Sequence, residues 1–389
     1  MQLLPLADLS HALAPGQPLP FNVRDGQGHL LLAAGYLVDS EATLSALLER
    51  GIFVDALEAA ATGIRPAPAP AAAPAEPPKA HVDPTRGTPF ERWDALCDRL
   101  SRLLASPGEQ YFMQRVREAC RHVLALDNVN ADLQLYMILR QDHGDFERYG
   151  VYHSLHVACV CSLMAQRLGW DELDRQRIIG AALTMNLGII DLQGQLARQA
   201  APLTRRQREL IDGHPQRAAR LLRDAGLDDA EWIEAVQDHH ERSGGGGYPL
   251  NRTHPGLRSQ LLRLADQFTA KHSARATRPA LPAQMAARQF FVENPGERMA
   301  SLMIKEFGIY PPGCLVRLAS GEIAIVVRRG AAANTPQVAA LTDRSGRVLP
   351  APVTLDTGRA AHAVVGSLPE PRTRLRIPAQ WLYPEAQAA

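Results

Sequence analysis

Between about residues 90 and 310, apolar side chains return every three or four positions, with only short breaks between runs. That interval is the repeat of an α-helix that buries one face. Phe90, Trp93, Leu96, Leu100 and Leu103/Leu104 make one such stripe, and Phe112, Val116, Cys120, Val123 and Leu124/Leu126 make the next. The spacing continues through Leu133–Leu139 and predicts further helices over 153–168, 172–187, 205–224, 229–241, 258–272 and 281–306. Strands do not alternate with these helices, so the pattern excludes a doubly wound parallel sheet and points to a multi-helix bundle.

The flanks differ. Residues 61–80 read ATGIRPAPAPAAAPAEPPKA, with eight Ala and six Pro in twenty. Proline removes backbone donors and alanine offers a core little to hold, so this is a semi-extended linker. Before it, Asp25-Gly26 and Gln27-Gly28 are turn signals between two apolar runs and predict a β-hairpin. Ser40 is a candidate N-cap for a short helix striped by Leu44, Leu47 and Leu48 and ended by Gly51, and Phe53-Val54 returns as a strand. After Gly308, a hairpin is expected around Ser320-Gly321-Glu322, with Val338–Leu341 and Val348 as further strand candidates and an irregular tail of about 20 residues. The expected organisation is a small α+β N-terminal module (1–58), an Ala/Pro-rich linker (59–88), a helical domain (89–310) and a β-rich C-terminal extension and tail (311–389). The fold class is mainly α.

At 46% apolar residues in 389, a sizeable core can form, and with 5% aromatics it must be filled by Leu, Ala, Val and Ile. A net charge of +1 excludes a general electrostatic binder of polymeric nucleic acid, while a local Arg cluster is enough for a small anion. Cys97, Cys120, Cys159, Cys161 and Cys314 contain no CxxC pair and read as buried reduced thiols. The N-terminus lacks the features of a signal peptide and no apolar run approaches 18 residues, so the expectation is a cytoplasmic protein without membrane insertion.

Histidine carries the chemical information. His153 opens an apolar-faced run, His214 sits just inside the 205–224 helix, and His239-His240-Glu241 ends the 229–241 helix before Gly244–Gly247. Asp266 lies on the 258–272 helix. Imidazoles and a carboxylate on different helices of one bundle are what an interior metal site requires.

The order Tyr152-His153-Ser154, Ala181-Ala182-Leu183, His214-Pro215, His239-His240-Glu241-Arg242, Gly247-Tyr248-Pro249 and Ala265-Asp266 resembles the HD-GYP family of bacterial phosphohydrolases over roughly residues 90–330. The resemblance implies an HD-domain-like helical bundle with a two- or three-metal site that hydrolyses cyclic di-GMP to pGpG or GMP. It also implies roles by position. His153 and Asp266 would serve a first metal, and His214, His239 and His240 a second. Gly247, Tyr248 and Pro249 would form the loop over the site, and Arg275 and Arg278 would lie beside the substrate phosphates.

This chain departs from the family at the dyad itself. Where the family has Ala-Leu-Leu-His-Asp-Ile-Gly-Lys, this sequence has Ala182-Leu183-Thr184-Met185-Asn186-Leu187-Gly188-Ile189. Met185 replaces the His, Asn186 the metal-bridging Asp and Ile189 the Lys. A neutral amide cannot hold two dications together as a carboxylate does, and a thioether suits hard divalent ions poorly. Met185 and Asn186 are expected to extend the apolar interior of the 172–187 helix, the four glycines to form a flexible loop, and Arg205-Arg206-Gln207-Arg208 to be a solvated helix start. The expected function is a degenerate HD-GYP protein of cyclic di-GMP signalling, catalytically impaired, serving as a nucleotide-binding or protein-interaction module. The alternatives are an active or weakly active metal-dependent phosphodiesterase, and a scaffold that binds no nucleotide and offers its GYP loop to other signalling domains. One divalent transition metal (Fe, Mn, Zn or Ni) or none is the cofactor expectation.

Overall fold

The computed structural model describes residues 3–25, 28–40, 44, 52–64, 86–127, 130–140, 146–276, 280–369 and 379–387. The chain divides into two compact units, Met1–Pro77 and Pro78–Ala389. Most of the expected helix after Ser40, including Leu47 and Leu48, and most of the linker lie outside the described residues.

In the first unit, strands β1 (Leu3–Pro5), β2 (Val23–Arg24), β3 (Leu30–Leu32) and β4 (Phe53–Asp55) form an antiparallel sheet of order β1-β4-β2-β3. The expected hairpin is β2–β3, in register at Val23↔Leu32. Helix α1 (Ala56–Ala61) is capped by Asp55, which accepts the Leu57 N–H at 2.8 Å. Leu6, Leu9, Phe21, Val23 and Val54 fill a small separate core.

The second unit is the helical bundle. Its helices are α2 (Pro89–Ala105), α3 (Phe112–Asp127), α4 (Ala131–Arg140), α5 (Tyr149–Arg167), α6 (Glu172–Thr184), α7 (Ile190–Arg198), α8 (Arg205–Asp212), α9 (His214–Asp224), α10 (Ala230–Gln237), α11 (Leu257–His272), α12 (Ala283–Glu293) and α13 (Arg298–Phe307). Helix α5 is buried around most of its circumference, as befits the central element. Helices α6 and α10 approach so closely that a Cβ on Gly180 would fall 2.0 Å from the Trp232 ring. Trp232 Nε1 donates to Thr184 Oγ1 at 3.1 Å and thereby fixes the end of α6. All five cysteines are free and buried, as expected.

Strands β5 (Leu315–Leu318), β6 (Ile323–Arg328), β7 (Gln337–Thr342), β8 (Val348–Asp356) and β9 (Val364–Ser367) form an antiparallel sheet of order β8-β7-β6-β5-β9. Leu315, Ile325, Val327, Ala339 and Leu341 join the bundle core, while Val316, Leu318, Ala324, Val326 and Val338 pack in a second, separate cluster.

Four expectations need correction. The 205–224 helix is two helices, because Pro215 has no N–H to give the Ile211 carbonyl and the chain turns at Gly213. The 281–306 helix likewise breaks at Asn294-Pro295-Gly296, where Gly296 takes a φ of +75°. The tail is not wholly irregular: α14 (Ala379–Leu382) leads to Tyr383, which is fully buried and donates to the Val327 carbonyl at 2.6 Å. Helix α6 ends at Thr184, so Met185 and Asn186 sit in the turn that follows it. Among the described residues, no helix is long and apolar enough to cross a membrane.

Candidate metal and ligand site

Three imidazoles converge beside α9 and α10. His214 is the first residue of α9, and the carbonyl orphaned by Pro215 accepts its Nδ1–H at 2.5 Å. His239 and His240 stand in the turn just beyond α10 rather than inside the helix. The Val236 carbonyl, in the last turn of α10, accepts the His239 Nδ1–H at 2.6 Å. A carbonyl oxygen can only accept, so both rings carry their proton on Nδ1 and present a bare Nε2 lone pair. Those two Nε2 atoms lie 3.0 Å apart. Two lone pairs at that distance repel unless a positive charge lies between them.

His240 completes the group, and one ligand atom from each of the three rings lies within 4.8 Å of the others. A shared proton is disfavoured here. Burial, with the charge of His239, pushes His214 down to about 3, and burial also lowers His239 and His240. Neutral imidazoles, two of them fully buried and oriented by backbone carbonyls, are a good donor set for one borderline divalent ion, and the residues present fit such an ion.

His153 and Asp266 meet nearby, where His153 Nε2 lies 2.6 Å from Asp266 Oδ1. Burial would raise the Asp266 carboxyl, but His153, then His240 and His239, hold it well below the usual range. The His153 ring stacks on Tyr149 with an interplanar angle of 9°.

A cavity of about 180 Å³ has His153, Asn186, Ile189, His214, His240, Asp266 and Arg275 in its wall, while His239 lies behind that lining. Asn186 thus faces the site, whereas Met185 is fully buried in the bundle core. The two dyad positions therefore have different surroundings, which the expectation of a shared apolar interior did not distinguish. A second, larger cavity of about 520 Å³ adjoins the first through His240, Tyr248, Asp266 and Arg275. Arg242, Arg263 and Lys271 bring further positive charge to it, and Gly247 lines its rim.

The glycine segment, expected as a flexible loop, is a hydrogen-bonded turn. Gly244 N–H donates to Thr253 O at 2.9 Å and Gly246 N–H to Asn251 Oδ1 at 2.7 Å. A Cβ on Gly247 would come 2.5 Å from Glu241 Cα, so only glycine lets the loop close. The Tyr248 ring then stacks on His240 with centroids 4.4 Å apart, and Pro249 follows through a cis bond. Arg278 lies outside the described residues, while Arg205 and Arg206 are solvent-exposed, as expected.

Two participants carried no signal of their role in the sequence. Glu241, fully buried, accepts from Leu250 N–H at 2.6 Å and Arg252 N–H at 2.9 Å and so anchors the loop. Helix α7 was not anticipated, because only Ile190, Gly194 and Ala197 are buried along it. Its Ala197 carbonyl accepts the Ala276 N–H at 2.7 Å and so holds the Arg275 segment in place.

Residues 125–292 match the HD domain family model. Over those residues the chain is similar to the HD domain family. A curated relative, cyclic di-GMP phosphodiesterase PA4108 of Pseudomonas aeruginosa, is 27% identical over 364 residues, covering 86% of this chain and 85% of the relative. Among solved structures, Bd1817, an HDG"Y"P protein from Bdellovibrio bacteriovorus, aligns at 15% identity with a TM-score of 0.42, covering 78% of this chain and 97% of that one. The matched residues include His153, Met185, Asn186, the imidazole cluster and Asp266.

Proposed function

We propose that this HD-domain protein binds cyclic di-GMP and one divalent transition metal, and that its phosphodiesterase chemistry is impaired. The observation that carries this reading is the wall of the smaller cavity. His214 and His240 face an amide, Asn186, at the position where the resembled family has its bridging carboxylate. His214, His239 and His240 would hold the ion. When bound, a divalent ion lowers the pKa of coordinated water and polarises phosphate oxygens. The residues around it bind and orient an anionic diester. Arg275 and Arg242 supply donors for phosphate, and the Tyr248 ring offers an aromatic face above His240. His153 and Asp266 are joined by their hydrogen bond in the wall of the same cavity. The likeness to a cyclic di-GMP phosphodiesterase supports the ligand and also favours a second reading, that of a slow but active enzyme.

Elemental analysis of protein purified without chelator, paired with a cyclic di-GMP hydrolysis assay, separates the two. About one metal per chain, lost in His239→Ala, with turnover near background is the expected result. Two tightly bound metals, or robust turnover abolished by His239→Ala, would establish the active reading instead.

A further inference from the structure

Tyr149 lies at the start of α5, 4% exposed, and lines the smaller cavity together with Arg275. Its phenol oxygen accepts two N–H groups from that guanidinium, from Nε at 3.2 Å and from Nη2 at 3.1 Å. The guanidinium carbon also sits 5.3 Å from the centre of the Tyr149 ring. The ring also stacks on His153, 5.8 Å away between centroids. Among the described residues nothing accepts the hydroxyl's own proton. The oxygen's acceptor capacity is therefore spent on Arg275, and what remains is an O–H donor in a wall shared with Asn186, His214 and Asp266. Two N–H donors on one phenol oxygen polarise it and strengthen that O–H as a donor.

We infer that Tyr149 and Arg275 form one anion-binding unit, in which the phenol O–H donates directly to a phosphate oxygen of the ligand while the guanidinium donates to a neighbouring one. This rests on the proposal that a phosphodiester occupies the cavity, and it adds a binding group that the sequence motifs do not mark. The chemistry follows from the donor set. A guanidinium alone offers N–H donors in a fixed fork, and the phenol adds an O–H at an angle the fork cannot reach. Phenylalanine at this position would keep the stack on His153 and lose only the hydroxyl.

Calorimetric titration of the full-length, metal-loaded protein with cyclic di-GMP tests the inference. Tyr149→Phe should weaken binding by about tenfold or more, as expected for loss of a hydrogen bond to a charged group. Arg275→Ala should also weaken it, and the double variant should lose clearly less than the product of the two single effects, because the groups act as a unit. Metal content should match the wild type in Tyr149→Phe, a readout that a general structural role would move. Unchanged affinity in Tyr149→Phe, multiplicative losses in the double variant, or a loss that tracks missing metal would overturn it. If the wild type binds no cyclic di-GMP, the cyclic dinucleotide reading falls. Titration of the same proteins with inorganic phosphate then decides the pair by itself: phosphate binding that is weakened in Tyr149→Phe sustains the pair as an anion site, and unweakened or absent binding overturns it.

Discussion

Asn186 faces the cavity that holds His214 and His240, while its neighbour Met185 points into the apolar core. Two adjacent residues thus stand in opposite environments, because the chain turns just after α6 ends at Thr184. Substitutions that look equivalent in sequence must therefore behave differently.

Asn186→Asp should be tolerated and should increase affinity for divalent ions, since it places a carboxylate on a wall already lined by imidazoles. Met185→His should instead destabilise the fold by about 2–4 kcal/mol, through loss of packing and burial of a polar ring. Titration with Mn²⁺ or Zn²⁺ and chemical denaturation check the two halves separately. A stable Met185→His variant that alone gains metal would show that the turn re-orients and that both positions can reach the site.

The loop over the site depends on one buried carboxylate. Glu241, itself fully buried, accepts the backbone N–H groups of Leu250 and Arg252 on the exposed loop. Glu241→Ala leaves two backbone donors without a partner and should cost about 3 kcal/mol of stability. It should also raise amide hydrogen exchange selectively at 244–252. A variant with normal exchange there would mean that the glycine turn holds itself, through the Gly244 and Gly246 bonds alone.

How much of this could be read from the residues follows from the range of the interactions. The bundle was legible because its stripes are local: Trp93, Leu96 and Leu100 mark α2 without reference to anything else. The breaks at Gly213 and Pro295 carried local signals too, yet the apolar stripe runs on past both and hides them. The imidazole cluster was legible as a set, since the His239-His240-Glu241 order and the position of His214 point to it. That His153 and Asp266 share a site followed from the resemblance alone, and their direct hydrogen bond was not legible, because it joins α5 to α11 across 113 residues of sequence. Gly180 shows the same limit. In the sequence it is an unremarkable glycine within a helix, and only the Trp232 ring lying on it reveals why no larger residue fits.

Stability should fall as the solution is acidified below neutrality, before carboxylates of ordinary pKa protonate. His272 is buried, and that burial pushes it down to about 4 although its Nδ1–H donates to the Phe268 carbonyl at 2.9 Å. His122, desolvated and beside the Arg99 guanidinium that donates to its Nε2, is likewise lowered to about 4. Between the unfolded value near 6.5 and the folded value near 4, the unfolded chain binds protons that the folded one refuses. Their contribution is present above pH 6.5 and is lost progressively down to about pH 4. For His272 the loss at pH 5 is about 2 kcal/mol. Asp238 acts in the opposite sense. Burial raises its carboxyl to about 6, so the folded state takes up that proton first and recovers about 1 kcal/mol by pH 5. These two histidines, joined in metal-free protein by the likewise lowered His214, His239 and His240, outweigh it, so urea denaturation of metal-free protein should show a net loss between pH 7 and pH 5. His272→Asn, which can keep a donor toward Phe268, should flatten that slope by about 2 kcal/mol at pH 5 whatever its effect at pH 7. A slope identical to the wild type would mean that His272 is already protonated in the fold, and that its burial is relieved by groups other than Phe268.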